Sequence, residues 1–443
     1  MDKISIVGGG LVGSLAAVYM AQKGHEVNVF ELRPDIRTAK IGVGRSINLS
    51  LSDRGIKALA GINATEDLMK IAIPMNGRVM HAVDGSLTFQ SYGKDEQAIY
   101  SISRTDLNAF LIRKADSFPN VTFNFEHKCS NVDLDTATLA FDYKGAKKTF
   151  QSDVIFGTDG AFSAVRRKMQ RQDRFSYSQE YLEHGYKELC IPADANGKHQ
   201  IEKNALHIWP RGEFMLIALP NLDGSFTCTL FLPYEGVQSF ESLNNDAAIL
   251  NFFEDTFPDA LALMPSLLED FKANPTASLC TIKCWPWSYE DKACLLGDSS
   301  HGIVPFYGQG MNAGFEDLSI LEPLMDEHNG DWKSIFKALQ TERKPNTDAI
   351  ADLALRNFIE MRDLTANPEF LMRKKIENRF YEKHPEKWMP LYSMVTFSHI
   401  PYSNALAEGK KQDQIMTKVM ALPNIDSIWD SQEVEEMMLE SLK

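Results

Sequence analysis

The chain has 443 residues, 44% hydrophobic and 24% charged, the profile of a soluble globular protein with room for two or three packed domains. Its 46 Lys and Arg against 60 Asp and Glu leave a net charge of -14, which repels phosphate backbones and argues against a nucleic-acid partner. Six scattered cysteines with no C-x-x-C pair exclude a disulfide framework and, despite Cys280 and Cys284, leave a metal centre without a ligand set.

Lys3-Ile4-Ser5-Ile6-Val7 reads as a strand starting almost at the initiator methionine, which leaves no room for a signal peptide. No stretch supplies the roughly 18 apolar residues that span a bilayer. The expectation is a soluble, cytoplasmic protein. Leu11 to Lys23 follows as a helix and Glu26 to Glu31 as a second strand, completing a βαβ unit. Between them lies Gly8-Gly9-Gly10-Leu11-Val12-Gly13, a G-x-G-x-x-G loop. Gly8 permits the tight turn, Gly10 lets a pyrophosphate approach the backbone, and Gly13 lets helix pack on strand. The helix N-terminus then faces phosphate with its positive end. Glu31 ends the second strand, 18 residues past Gly13, where a carboxylate can accept from a ribose. The loop binds a dinucleotide without distinguishing FAD from NAD, and Glu31 opposes the 2′-phosphate of NADP in this groove. Ile41-Gly42-Val43-Gly44-Arg45 lacks both the third glycine and a preceding strand, so no second dinucleotide fold is expected.

Residues 78 to 100 and 121 to 150 alternate like antiparallel strands, and 151 to 170 return to strand then helix. From about 175 to 290 the texture is β-rich, with Pro-Arg-Gly and Asn-Leu-Asp-Gly turns. Residues 293 to 345 read as strand, glycine loop and helix. The remainder is helical, with Pro368, Pro385, Pro390, Pro401 and Pro423 as breaks. The predicted architecture is α/β. A discontinuous Rossmann-type domain takes 1–70, 100–175 and 290–345, a β-rich substrate domain takes 71–99 and 176–289, and a helical region takes 346–443.

Two further loops narrow the cofactor. Gly157-Thr158-Asp159-Gly160-Ala161-Phe162-Ser163 closes one strand, and Gly297-Asp298-Ser299-Ser300-His301 to Gly308-Gln309-Gly310-Met311-Asn312 follows another. A glycine turn with a capping Asp explains either alone, but not both in this order. Together they resemble the paired DG and GD signatures of the single-component flavoprotein hydroxylases. That resemblance implies non-covalent FAD, with NADPH as a transient co-substrate. Asp298 would bind the ribityl chain, Asp159 would lie in a loop serving both nucleotides, and Arg104 would approach the flavin phosphates. Further FAD contacts are implied at Leu11, Val12, Arg33, Cys129, Gly310, Met311 and Asn312. Backbone N–H groups at the Gly308–Asn312 helix start suit the negative edge of a reduced flavin. Because a flavin hydroperoxide needs no protein nucleophile, His301 is read as a packing and hydrogen-bonding residue.

Nearly the full chain is similar to the kynurenine 3-monooxygenases. The resemblance is carried by Gly44-Arg45-Ser46-Ile47-Asn48-Leu49, Ser101-Ile102-Ser103-Arg104, Leu206-His207-Ile208-Trp209-Pro210, Phe226-Thr227-Cys228-Thr229-Leu230-Phe231, Asn357-Phe358-Ile359-Glu360-Met361-Arg362 and Pro390-Leu391-Tyr392-Ser393-Met394. It implies L-kynurenine, NADPH and O2 as substrates in tryptophan breakdown, and a monomer or weak dimer. Arg78, Tyr92, Asn357 and Tyr392 would hold the amino-acid end. The ring would lie among Leu206, Ile217, Leu219, Thr229, Phe231, Pro305, Phe306 and Met361, with Gln309 at the reacting edge. A guanidinium suits a carboxylate, and apolar walls keep water from the oxygenating flavin. The chain departs from the family in Ser299-Ser300, where alanines are commoner, and in Asn76-Gly77 before Arg78. The two serines are expected to add hydroxyls beside the flavin. Many eukaryotic relatives carry a C-terminal membrane anchor; this sequence ends without one. Two alternatives stand beside this reading: a hydroxylase of a phenolic acid, and a non-catalytic escort protein on the same fold.

Overall fold

Apolar runs that alternate with helices assemble into one largely parallel sheet, ordered Ser288–Tyr289, Ala293–Leu295, Val154–Gly157, Lys3–Val7, Glu26–Phe30, Val121–Asn124. The computed structural model describes residues 1–38, 48–92, 97–364 and 367–442, so the Ile41–Arg45 segment lies outside the described residues. Strands buried on both faces read as continuous apolar runs, as Val154–Gly157 does. The helix Leu11–Gln22 packs on this sheet against the helices Arg104–Asp116 and Gly310–Glu327, with Leu15, Ala16, Ala17 and Val18 fully buried. Val121–Asn124 departs from the antiparallel expectation: it pairs in parallel with Glu26–Phe30, Val27 opposite Val121. The antiparallel pattern begins after it, in the sheet of Lys128–Asp133, Thr138–Tyr143 and Ala146–Gln151.

A second sheet of seven strands runs Ala277–Trp285, Ser176–Ile191, Phe226–Pro233, Met215–Pro220, Leu206–Pro210, Gly77–His81, Leu87–Ser91. Alternation along its strands divides its two faces. Trp209, Leu216, Ala218, Cys228 and Leu230 pack beneath the helices Asp246–Thr256 and Leu267–Ala273. Leu206, Met215, Leu219 and Phe231 turn the other way, towards Phe306, Phe358 and Met361. The parallel pairing of Gly77–His81 with Leu206–Pro210 sets Arg78 opposite Leu206.

Pro390 and Pro401 cap the helices Leu391–Thr396 and Tyr402–Met420, and Pro368 opens Pro368–Lys383, as proline's fixed φ favours. Pro345 behaves differently. The helix Trp332–Ile359 runs through it, so the boundary expected at 345/346 falls within one helix.

Candidate active site

The three glycine-bearing loops meet. Gly8 has φ +103°, and a Cβ there would lie 2.6 Å from the Thr158 carbonyl, so the first loop rests on the DG loop. A Cβ on Gly13 would stand 1.9 Å from the Gly8 carbonyl oxygen. Val12 is wedged between Gly297 and Gly314, whose added Cβ atoms would approach its Cγ2 at 2.9 and 2.8 Å. Beside Gly10, by contrast, the space is open, and the helix beginning at Leu11 has no side-chain cap and no acid in its first turn. Its N–H groups therefore have room for an anion.

The carboxylates around this cradle are only partly used. Glu31 accepts from the Gly9 and Arg33 amides at 2.8 and 2.9 Å, while the Arg33 side chain is exposed. Asp159 Oδ2 accepts from the Ala164 amide at 2.6 Å, capping the helix Ala164–Met169, but its Oδ1 is buried without a partner among the described residues. Burial raises the Asp159 carboxyl above its ordinary range. Asp298 is exposed beside the buried Gly297 and Ser299, with no side-chain hydrogen bond among the described residues. An open backbone cradle, an orphaned acceptor and a free carboxylate fit the phosphates and hydroxyls of FAD.

Other expected cofactor contacts are placed less directly. Arg104 is exposed at the first turn of Arg104–Asp116, close enough to act electrostatically on Tyr186. The Cys129 thiol is pushed up to about 12 by burial and then by nearby Asp159. The Asn312 side chain is committed to structure, bonding the Ser50 and Gly308 carbonyls and the Ser52 amide at 2.8, 2.8 and 3.0 Å. That leaves the backbone of Gly310, Met311 and Asn312, at the start of Gly310–Glu327, as the ligand-facing feature. The expectation for Ser299 and Ser300 is corrected. Both are buried and turn inward, Ser299 onto the Gly157 and Leu296 carbonyls and Ser300 onto Gly297, because a buried hydroxyl takes the nearest backbone acceptor.

A cleft lies at the far end of the third loop, lined by Ser50, Arg78, Ile99, Leu206, Met215, Ile217, Leu219, Phe231, Pro305, Phe306, Tyr307, Gly308, Gln309, Met361 and Tyr392. Alternate residues of the second sheet form one wall, and the 3-10 turn Pro305–Tyr307 forms the other. Phe306 stacks on Phe358 at 3.9 Å and meets Phe231 at 4.9 Å. At one end the guanidinium of Arg78 sits 4.6 Å over the Tyr392 ring and 5.4 Å from that of Tyr92. Tyr92, Tyr392 and Tyr307 stack in a row, at 5.2 and 5.5 Å.

Arg78 has no carboxylate partner among the described residues, and its Nε and the Tyr92 hydroxyl are both buried and unpaired. Burial pulls the guanidinium's pKa down, but Tyr392 and Tyr92 outweigh it, so the net shift is upward and Arg78 stays cationic. Burial likewise holds Tyr92 well above the ordinary phenol range, as an O–H donor. An enclosed cation without a counter-ion is a site built for an anion.

Three expected substrate residues, Tyr92 behind Arg78, Asn357 and Thr229, are not part of the cleft lining. Asn357 spends its NH2 on the Phe306 carbonyl at 2.6 Å, bracing the turn from behind. Thr229, opposite Ile217 and on the same face of the sheet, is buried and does not line the cleft. Sequence reasoning missed Ser50, Ile99, Met215 and Tyr307 on the surface. It also missed a buried ionic chain: Arg54 to Glu316, Glu316 to Arg343 at 2.5 Å, Arg343 to Asp317 at 2.8 Å, and Asp317 to His301 at 2.7 Å. Burial favours neutral carboxyls, but the Arg343 and Arg54 guanidiniums hold Glu316 below its usual range, and His301 and Arg343 do so for Asp317. Asp317 also accepts from the Gly297 amide at 2.9 Å, so the chain steadies the GD loop.

Residues 2–223 match the family model described as the FAD binding domain. In fold the chain is similar to 2-methyl-3-hydroxypyridine-5-carboxylic acid oxygenase, with a TM-score of 0.68 at 19% identity over 84% of this chain and 95% of that one. It is equally similar to p-nitrophenol 4-monooxygenase from Pseudomonas putida, with a TM-score of 0.68 at 15% identity over 93% and 98%. The protein is thus an FAD-dependent monooxygenase with FAD as its cofactor. Curated relatives named kynurenine 3-monooxygenase are 53% identical in Flavobacterium johnsoniae (100% of this chain, 99% of the relative), 46% in Dictyostelium discoideum (94% and 93%) and 44% in Anopheles gambiae (96% and 88%). The chain belongs to the kynurenine 3-monooxygenase family. Among the described residues no helix is long and apolar enough to cross a membrane.

Proposed function

We propose that the protein hydroxylates L-kynurenine to 3-hydroxykynurenine, consuming NADPH and O2 and releasing NADP and water. The observation that carries this reading is the unneutralised Arg78, set between two tyrosines at the end of an otherwise apolar cleft. A small amino acid with an aromatic side chain complements both ends of such a cleft. The names of the relatives point to the same substrate.

In this reading Arg78, Tyr92 and Tyr392 hold the carboxylate, and the planar guanidinium fixes its orientation. Leu206, Ile217, Leu219, Phe231, Phe306 and Met361 hold the ring and exclude water. Gln309 and Pro305 lie at the reacting edge, with Thr229 and Asn357 supporting the walls from behind. Gly8, Gly10, Gly13 and Glu31 receive the adenosine half of FAD, while Asp159, Asp298 and the Gly310 helix start receive the rest. Bound FAD supplies reduction by NADPH and activation of O2. The substrate's own ring amine makes its neighbouring carbon electron-rich, so no protein base is required. NADPH meets the flavin from the surface, since Glu31 disfavours a 2′-phosphate in the first groove. The enzyme acts as a monomer or weak dimer in the cytoplasm, away from membrane and nucleic acid.

Steady-state rates with NADPH and with NADH, each with and without kynurenine, test this reading. It expects NADPH to be preferred and kynurenine to accelerate its oxidation. A preference for NADH, or no response to kynurenine, would overturn it.

A further inference from the structure

Gln309 lines the cleft, yet it is only 1% exposed in total, so nearly all its polar atoms are answered from within. Its Oε1 accepts from the Tyr402 hydroxyl at 2.8 Å, and its Nε2 donates to Ser52 Oγ at 3.3 Å. One amide N–H is left without a partner among the described residues. The orientation of that amide decides whether the cleft meets a donor or an acceptor.

Tyr402 comes from far along the chain, 93 residues past Gln309. It opens the helix Tyr402–Met420 and is fully buried. Its ring lies 3.9 Å beneath the Arg54 guanidinium, which is itself tied to Glu316, to the Ile400 carbonyl and, at 3.3 Å, to the Val395 carbonyl. The ring is therefore held under a guanidinium of the helix Asp53–Ala60, which links the C-terminal segment to Glu316 of Gly310–Glu327. Its hydroxyl has Gln309 as its one hydrogen-bond partner among the described residues. Burial keeps that hydroxyl protonated, so it remains a donor. A buried aromatic that serves packing alone has no need of such a hydroxyl.

We propose that Tyr402 is a positioning residue for oxygen transfer: its hydroxyl fixes Gln309 Oε1, so the free amide N–H is presented to the cleft in one orientation. The proposal rests on the reading of Gln309 as a residue of the reaction site. Without the hydroxyl, Oε1 keeps only the long 3.5 Å contact from Ser52 Oγ, the same group its Nε2 donates to, and the amide is free to turn. NADPH oxidation then continues, but more of the O2 consumed is reduced to hydrogen peroxide instead of delivering an oxygen atom to product.

Tyr402→Phe removes one oxygen and leaves the ring under Arg54. One net hydrogen bond corresponds to roughly a threefold to tenfold change. The product formed per NADPH consumed should fall by that factor, with hydrogen peroxide rising to match, while KM for kynurenine and FAD content stay within twofold of the parent. Gln309→Met keeps the length of the side chain without its amide and should lower the same ratio. Adding Tyr402→Phe to Gln309→Met should then change nothing further, because the hydroxyl acts only through that amide. An unchanged ratio in Tyr402→Phe, or a second, additive loss in the double variant, overturns the proposal. So does loss of FAD or a much lower Tm in Tyr402→Phe, which would make the hydroxyl a structural strut. If Gln309→Met alone matches the parent, the underlying reading of Gln309 is what fails.

Discussion

Replacing Arg78 by alanine separates a binding site from a structural charge. A structural arginine has a carboxylate partner, and deleting it strands that partner and lowers stability. Arg78 has none among the described residues, and its enclosed Nε is unpaired, so Arg78→Ala removes a desolvated charge from the free protein. The variant should therefore melt no lower than the parent. Binding should respond in the opposite sense. A charge-assisted bond between enclosed groups is worth about 1.5–3 kcal/mol, which is roughly tenfold to a hundredfold in Kd. Arg78→Lys should recover only part of this, since an ammonium lacks the planar fork. Quenching of flavin fluorescence by added kynurenine measures Kd directly, and FAD content should not change because Arg78 lies outside the three loops. An analogue lacking the carboxylate should bind parent and variant alike. If Arg78→Ala binds kynurenine as tightly as the parent, the carboxylate is held elsewhere and the substrate assignment loses its support.

Asp298→Ala should purify largely without flavin and regain activity in excess FAD, because its exposed carboxylate has no side-chain hydrogen bond to serve among the described residues; full flavin content in that variant would contradict the role. Gly13→Ala places a Cβ 1.9 Å from the Gly8 carbonyl and should abolish FAD retention by forcing the loop open, which absorbance of the purified variant reads at once. The buried His207 donates through Nε2 to the Glu202 carbonyl and faces His81 at 2.9 Å, and burial lowers its pKa from 6.5 to about 4. Its neutral form is the folded one, so its contribution is full above pH 6.5 and is lost as pH falls towards 4, by about 3 kcal/mol in all. Tm of His207→Gln should fall less steeply than the parent's across that window, and parallel curves would exclude the effect.

Local features carried most of what the sequence revealed. Gly8, Gly10 and Gly13 sit in register with an apolar strand and an Ala-rich helix, and the chemistry of such a turn is contained within a dozen residues. Asp159 and Asp298 stand out in the sequence for the same reason. The cleft was legible only through resemblance, since nothing in the residues around Arg78 announces that its counter-ion is missing. The long-range contacts were not legible at all. Arg54 meets Glu316 across 262 positions and Tyr402 meets Gln309 across 93, and no periodicity encodes such pairs. Pro345, inside the helix Trp332–Ile359, shows packing overriding a local rule. Proline disfavours helix interiors, but the packing of Ile335, Phe336, Leu339, Ile350 and Leu353 outweighs the one lost backbone bond. Ser299 and Ser300 show that residue identity does not give direction: the same hydroxyls that suit a flavin polyol are spent on the backbone carbonyls of Gly157 and Gly297.

The central claim is that this cleft places one atom of O2 on the ring of kynurenine. Turnover of the FAD-loaded protein with NADPH, kynurenine and heavy-oxygen-labelled O2, followed by mass spectrometry of the product, tests it most directly. A single labelled oxygen is expected, on the ring carbon beside the amine, with one NADPH consumed for each product formed. Label that enters from heavy water instead of O2, or NADPH oxidation that yields only hydrogen peroxide at saturating kynurenine, would contradict it.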